Sequence, residues 1–78
     1  MTYVVVSRSE CPFCTMATEL LKEKGVAYTC YSLESSRWVL DLFKKSNLTT
    51  VPQIWDSEGN HIGGYKELKE YLDAARFF

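Results

Sequence analysis

The chain opens on an unbroken apolar run, Tyr3-Val4-Val5-Val6, which predicts a strand over residues 2–7 buried on both faces. Beyond Cys11 the period lengthens. Phe13, Met16, Ala17, Leu20 and Leu21 share one face of a helix that runs to about Lys24, with Gly25 as its stop. Val26 to Leu33 is rich in β-branched and aromatic residues and reads as a second strand. Strand, helix, strand favours parallel pairing through a right-handed crossover. Ser35 or Ser36 then caps a second helix that turns Trp38, Val39, Leu42 and Phe43 inward and ends near Lys44-Lys45. A short strand, Gln53 to Asp56, follows. The turn Ser57-Glu58-Gly59-Asn60 sends His61-Ile62-Gly63 back antiparallel to it. Gly63-Gly64 marks a sharp bend. From Tyr65 or Lys66 a last helix packs Leu68, Tyr71, Leu72 and Ala75 inward. The pattern is that of one α/β domain over residues 1–78, in the order βαβ-α-ββα.

Composition narrows the function more than the fold. A net charge of −1 offers no broad field for nucleic acid or a membrane surface. The opening apolar run is too short for a signal peptide or a membrane span. Three cysteines are an odd and sparse set for a secreted disulfide scaffold, so the expected compartment is the cytoplasm.

There a Cys-x-x-Cys means redox chemistry or metal binding. Cys11-Pro12-Phe13-Cys14 lies where the first strand passes into a helix N-terminus. Unpaired N–H groups and aligned peptide dipoles there favour negative charge. A cysteine so placed loses its proton more readily than a free one, and the thiolate is the form that attacks disulfides. Pro12 has its φ already set for a first helical turn. Zinc would need four ligands, and the spare candidates, Cys30 and His61, lie in no second close-spaced pair. Cys30, within the second strand, reads as a small apolar side chain, and His61 as a solvated hairpin residue.

Cys-Pro-Phe-Cys at 11–14, Thr-Val-Pro-Gln-Ile at 50–54 and Gly-Gly-Tyr at 63–65 together resemble the glutaredoxin family, closest to its short bacterial and bacteriophage members. The resemblance implies a thioredoxin-like fold with a four-stranded mixed sheet flanked by three helices, and a cis peptide before Pro52. It implies a monomeric thiol–disulfide oxidoreductase with no bound cofactor or metal. Cys11 would be the nucleophile and Cys14 the resolving thiol. Glutathione would be reductant and co-substrate, and disulfide proteins such as ribonucleotide reductase would be partners.

The same resemblance implies a glutathione site. Val51 would pair with the cysteinyl backbone, flanked by Thr50 and Pro52, and Arg8 would meet the glycine carboxylate. Main-chain N–H groups around Gly64, Tyr65 and Lys66 would hold the γ-glutamyl carboxylate, an anion site at a helix terminus. Glu67 would take the γ-glutamyl ammonium, and Phe13 would form an apolar wall. The chain departs from common family usage at Phe13 (often Tyr), Leu48 (often basic) and Lys66 (often Ser or Asp). Leu48 and Lys66 leave open a glutaredoxin-shaped protein reduced by thioredoxin reductase, and the Cys-x-x-Cys itself leaves open a non-catalytic module holding a [2Fe–2S] cluster or a metal. Thr50, Tyr65, Lys66 and Glu67 also have plain structural readings, as strand-entry, packing and first-turn residues.

Overall fold

Val5 and Val6 are both fully buried, at 0% and 2% exposure, although adjacent residues of a strand face opposite ways. The strand that carries them is therefore covered on both sides. In the computed structural model, which describes residues 2–75, the elements are β1 (Tyr3–Ser7), α1 (Pro12–Glu23), β2 (Tyr28–Ser32), α2 (Arg37–Lys45), β3 (Gln53–Trp55), β4 (His61–Gly63) and α3 (Tyr65–Ala75). The sheet runs β2-β1-β3-β4. The β1–β2 pair is parallel and the other two are antiparallel. This is the mixed four-stranded, three-helix layout of the thioredoxin-like fold. Val5 packs with Ala17, Leu21, Ile54, Leu68 and Leu72, from α1, β3 and α3. On the other face Val6 meets Val39 and Phe43 of α2. Burying a side chain such as Leu21, Ile54 or Leu68 contributes about 1.5–3 kcal/mol, a large share of the stability of so small a domain.

Helix ends are set locally. Gly25 takes φ +70°, Gly25 N–H donates to Lys22 O and Val26 N–H to Leu21 O, the paired bonds of a Schellman stop. Asn47, at φ +56°, does the same for α2, with Asn47 N–H on Lys44 O and Leu48 N–H on Phe43 O. That stop drops Leu48 onto the α2 side of the core. Leu48, at a position often basic in the resembled family, is thus the apolar plug of a helix end.

Several expected faces are rotated. On α1 the buried residues are Cys14, Ala17 and Leu21, while Phe13 and Met16 stand 57% and 41% exposed. On α2, Val39 and Phe43 are inside. Trp38 and Leu42 lie outward, with Trp38 edge-on to Tyr31 at 5.0 Å. Ser36 occupies the N-cap position of α2, but its side chain makes no capping bond. Tyr71 is exposed rather than inward, and its hydroxyl donates to Asp56 Oδ2 at 3.1 Å. The expectation for the side chain of Ala75 lies outside the described residues. Cys30 is exposed, because β2 is an edge strand that α1 only partly covers, and its sulfur lies 3.2 Å from Ser7 Oγ. Among the described residues no helix is long and apolar enough to cross a membrane.

Candidate active site

Cys11 is the N-cap residue of α1, and its sulfur accepts the N–H of Cys14 at 3.3 Å. A capping side chain normally supplies oxygen to an unpaired N–H; here a sulfur does so. Cys11 is half-buried and Cys14 buried. Burial pushes the Cys14 thiol up to about 12, helped by its hydrogen bond with Cys11 and opposed by the Arg8 backbone N–H. Cys14 thus stays protonated through the neutral range, while Cys11 is the sulfur that faces outward.

The loop before Cys11 is tied to the next crossover. Ser9 donates its N–H to Glu34 Oε1 at 2.6 Å and its hydroxyl to Oε2 at 2.8 Å. Those bonds, the backbone N–H first, hold the Glu34 carboxyl below the ordinary carboxylate range. Glu10, next to the thiol, takes φ +57° and is exposed.

Across from Cys11 lies the loop into β3. The Val51–Pro52 peptide is cis, and the Cys11 thiol faces the Val51 carbonyl oxygen at 3.8 Å. Arg8, Cys11, Thr50 and Val51 line one cleft of about 330 Å³. Of the other expected residues, Pro52 is buried beneath this loop. Phe13 approaches Tyr65, ring centroids 6.3 Å apart, so an apolar wall bridges the starts of α1 and α3. Gly64 N–H donates to Glu67 Oε1 at 2.9 Å, so Glu67 itself caps α3. No hydrogen bond to its second oxygen forms among the described residues. Gly63 has φ +123°, and a Cβ there would sit 2.9 Å from Glu67 Cγ, so this position requires glycine. Lys66 is exposed in the first turn of α3, and none of these contacts reaches it.

Cys30 lines a second cavity of about 660 Å³ on the α1 side, which Cys11 and Arg8 also line, together with Cys14 and Thr18. Among the described residues no three His, Cys, Asp or Glu side chains converge as metal ligands. Two residues near the cleft make contacts beyond their expected places in the motif and the hairpin. Gln53, 7% exposed, holds Thr50 from beneath, and the exposed His61 is bonded to Gln53 and lies tilted against Trp55, ring centroids 4.8 Å apart. A polar residue between Pro52 and the apolar Ile54 was the only signal in the sequence.

Comparison with known proteins bears on what this geometry does. A family model described as Glutaredoxin matches residues 3–62. The chain is 36% identical over 66 residues to a glutaredoxin of Pseudomonas aeruginosa, covering 83% of this chain and 77% of that protein. It is 34% identical over 68 residues to the hybrid peroxiredoxin hyPrx5 of Haemophilus influenzae, covering 87% of this chain and 28% of that one. The chain thus spans little more than a quarter of that hybrid's length. In three dimensions it is similar to glutaredoxin 1 from Francisella tularensis, complexed with cacodylate, at a TM-score of 0.81 and 25% identity, covering 99% and 98% of the two chains. It is also similar to a buckwheat glutaredoxin–glutathione complex, at 0.75 and 25%, covering 92% and 69%.

Proposed function

The chain belongs to the glutaredoxin family, and from that premise we propose that it is a cytoplasmic, monomeric dithiol glutaredoxin, reducing protein disulfides and glutathione mixed disulfides at the expense of glutathione. The observation that carries the reading is the inequality of the two sulfurs: Cys11 opens on a cleft with Arg8 and the Val51 main chain, while Cys14 is buried behind it with its proton held.

Cys11, as thiolate, attacks one sulfur of the substrate disulfide; a new S–S bond forms and the other substrate sulfur leaves as a thiolate that takes up a proton. Once Cys11 is in a mixed disulfide, its thiol hydrogen bond and its charge no longer act on Cys14. Two of the causes that raise Cys14 then vanish, leaving burial and the influence of Cys30, opposed by the Arg8 backbone N–H. Cys14 gives up its proton, attacks Cys11 Sγ and expels the reduced substrate. Two glutathione thiols reverse the disulfide in turn, consistent with the glutaredoxin range of about −200 to −230 mV.

The glutathione backbone would pair with Val51 as a short added strand, beside Thr50 and Pro52. Arg8 would face the glycine carboxylate, and Phe13 and Tyr65 would line the apolar side. The main-chain N–H groups of Tyr65 and Lys66 would meet the γ-glutamyl carboxylate. The second oxygen of Glu67 would meet the ammonium, since the first is engaged by Gly64. The protein partner expected by resemblance is an enzyme that ends its turnover as a disulfide, such as ribonucleotide reductase.

The test is to incubate the oxidised protein with NADPH and either glutathione plus glutathione reductase, or thioredoxin reductase alone. Reduction in the first mixture is expected; reduction only in the second would overturn the glutathione reading. A coloured preparation with cluster absorbance would favour a [2Fe–2S] carrier instead.

A further inference from the structure

The loop that presents Val51 to the cleft lies directly before β3, and it is held by a side chain from that strand. Gln53 is 7% exposed, and a buried amide is costly unless its hydrogen bonds are made. Here they are. Gln53 Nε2 donates to the Thr50 carbonyl oxygen and to Thr50 Oγ1, both at 3.1 Å. A carbonyl can only accept, so the amide nitrogen must be the end facing Thr50. The other end, Oε1, can only accept, and it faces His61 Nε2 at 2.7 Å. His61 therefore carries a proton on Nε2. His61 is in turn placed by the tilted contact of its ring with Trp55, 4.8 Å between centroids, and by its register opposite Trp55 in the β3–β4 pair.

The result is a continuous polar chain, His61 to Gln53 to Thr50, whose last member adjoins the residue facing the Cys11 thiol. Thr50 Oγ1 accepts from Gln53, which leaves its own hydrogen to point elsewhere.

We infer that Gln53 is a positioning residue: it fixes the Thr50–Val51 main chain at the height where an extended thiol substrate pairs beside Cys11, and His61 sets the orientation of its amide. The inference rests on the glutathione reading proposed above for what pairs with Val51, but the rigid placement of the loop can be read without any ligand. Gln53 touches neither sulfur, so its loss should weaken substrate pairing and leave the intrinsic attack of Cys11 on a small reagent intact.

Two variants separate positioning from simple packing. Gln53→Met keeps the volume and removes every hydrogen bond; Gln53→Glu keeps an acceptor for His61 but has no N–H for Thr50, and it is compared at about pH 7 and 9 because only a protonated carboxyl could donate to the Thr50 carbonyl. Both should melt cooperatively, and both should raise KM for a glutathione mixed disulfide by about five- to tenfold, with kcat changed far less. Alkylation of Cys11 by iodoacetamide should proceed at the wild-type rate. Without ligand, the ¹⁵N order parameter of the Val51 amide should fall from the rigid range near about 0.85 to below about 0.6 in both. If the wild-type protein shows no glutathione turnover, the functional reading fails while the Val51 order parameter still decides the positioning role. A wild-type order parameter at Val51 in both folded variants, or slowed alkylation with KM unchanged, would overturn the inference.

Discussion

The N–H of Cys14 points at the Cys11 sulfur from 3.3 Å, so the outward cysteine caps the helix through the backbone N–H of the buried one, whose own thiol waits behind. Backbone and side chain of one residue thus have separable roles, and mutation can remove one without the other.

Cys14→Ser keeps the capping N–H and loses only the second sulfur. Exchange with glutathione mixed disulfides should survive in this variant. Reduction of protein disulfides through the dithiol route should fall by at least about 100-fold, measured with insulin or a disulfide enzyme as substrate. Retention of full dithiol activity would show that Cys14 is not the resolving thiol.

The Cys14 thiol also predicts how the reduced fold responds to alkali. Its folded value is pushed from 9.0 to about 12. Between those values an unfolded chain has released the proton that the folded protein retains. The folded state then binds more protons, so stability is intact below pH 9 and declines as pH rises through this window. Tyr3 and Tyr71, both raised from 10.0, act in the same direction from higher pH. Urea midpoints at pH 8 and 10 should therefore fall more for the reduced wild type than for Cys14→Ser. Parallel curves would contradict the buried, protonated thiol.

Arg8 is exposed and shares its cleft with Cys11 and Val51. A surface pairing with a carboxylate is worth about 0.2–1 kcal/mol. Arg8→Gln should accordingly raise KM for glutathione by about two- to fivefold. A rise in KM with added salt is expected for the wild type and should flatten in the variant. An unchanged salt response would place the glycine carboxylate elsewhere.

Asp56 ties the β3–β4 turn to α3. Its carboxylate accepts Glu58 N–H at 2.9 Å, Asn60 N–H at 2.8 Å, Asn60 Nδ2 at 3.2 Å and the Tyr71 hydroxyl at 3.1 Å. The Asn60 N–H, against the opposing effect of burial, holds its carboxyl below 3.8. The sign is that of a depressed acid: its contribution is present above the unfolded value and is lost as pH falls through the folded one. Asp56→Ala should lower the melting temperature at pH 7 by about 5–10 °C, and it should soften the acid limb of the stability curve. Glu34, also depressed, supplies the part of that limb that remains.

The order of strands and helices was legible because Val5 and Val6 demand cover on both faces, and because Gly25 and the Gly59 turn punctuate the chain. Which face of each helix turns inward was not. A hydropathy count places Phe13 and Met16 inside α1, but the helix rolls to bury Cys14, in line with Ala17 and Leu21. The choice is made by the sheet it packs on. Cys30 misled for a related reason: a strand–helix–strand unit does not say which strand lies at the edge. The Asn47 stop carried a signal, since asparagine tolerates the left-handed region, and it explains Leu48 as well. Cys11, Thr50 and Val51 were legible as motifs. The role of Gln53 within that motif was not, because its partners, Thr50 and His61, converge only once the hairpin closes.

Glu67 accepts Gly64 N–H at 2.9 Å and is the residue expected to meet the γ-glutamyl ammonium. The two roles separate by chemistry. Glu67→Gln keeps a carbonyl oxygen for Gly64, so the cap and the melting temperature should hold, while the charge that would attract an ammonium is gone. Its KM for glutathione should rise about threefold at unchanged kcat. Glu67→Ala removes both and should also destabilise the protein by about 1 kcal/mol, as lost helix caps do. If Glu67→Gln binds glutathione like the wild type and Glu67→Ala changes only stability, Glu67 is a cap and nothing more. In that outcome the ammonium is not met by the only carboxylate in the first turn of α3, and the exposed Lys66 one residue away accounts for the weak pairing.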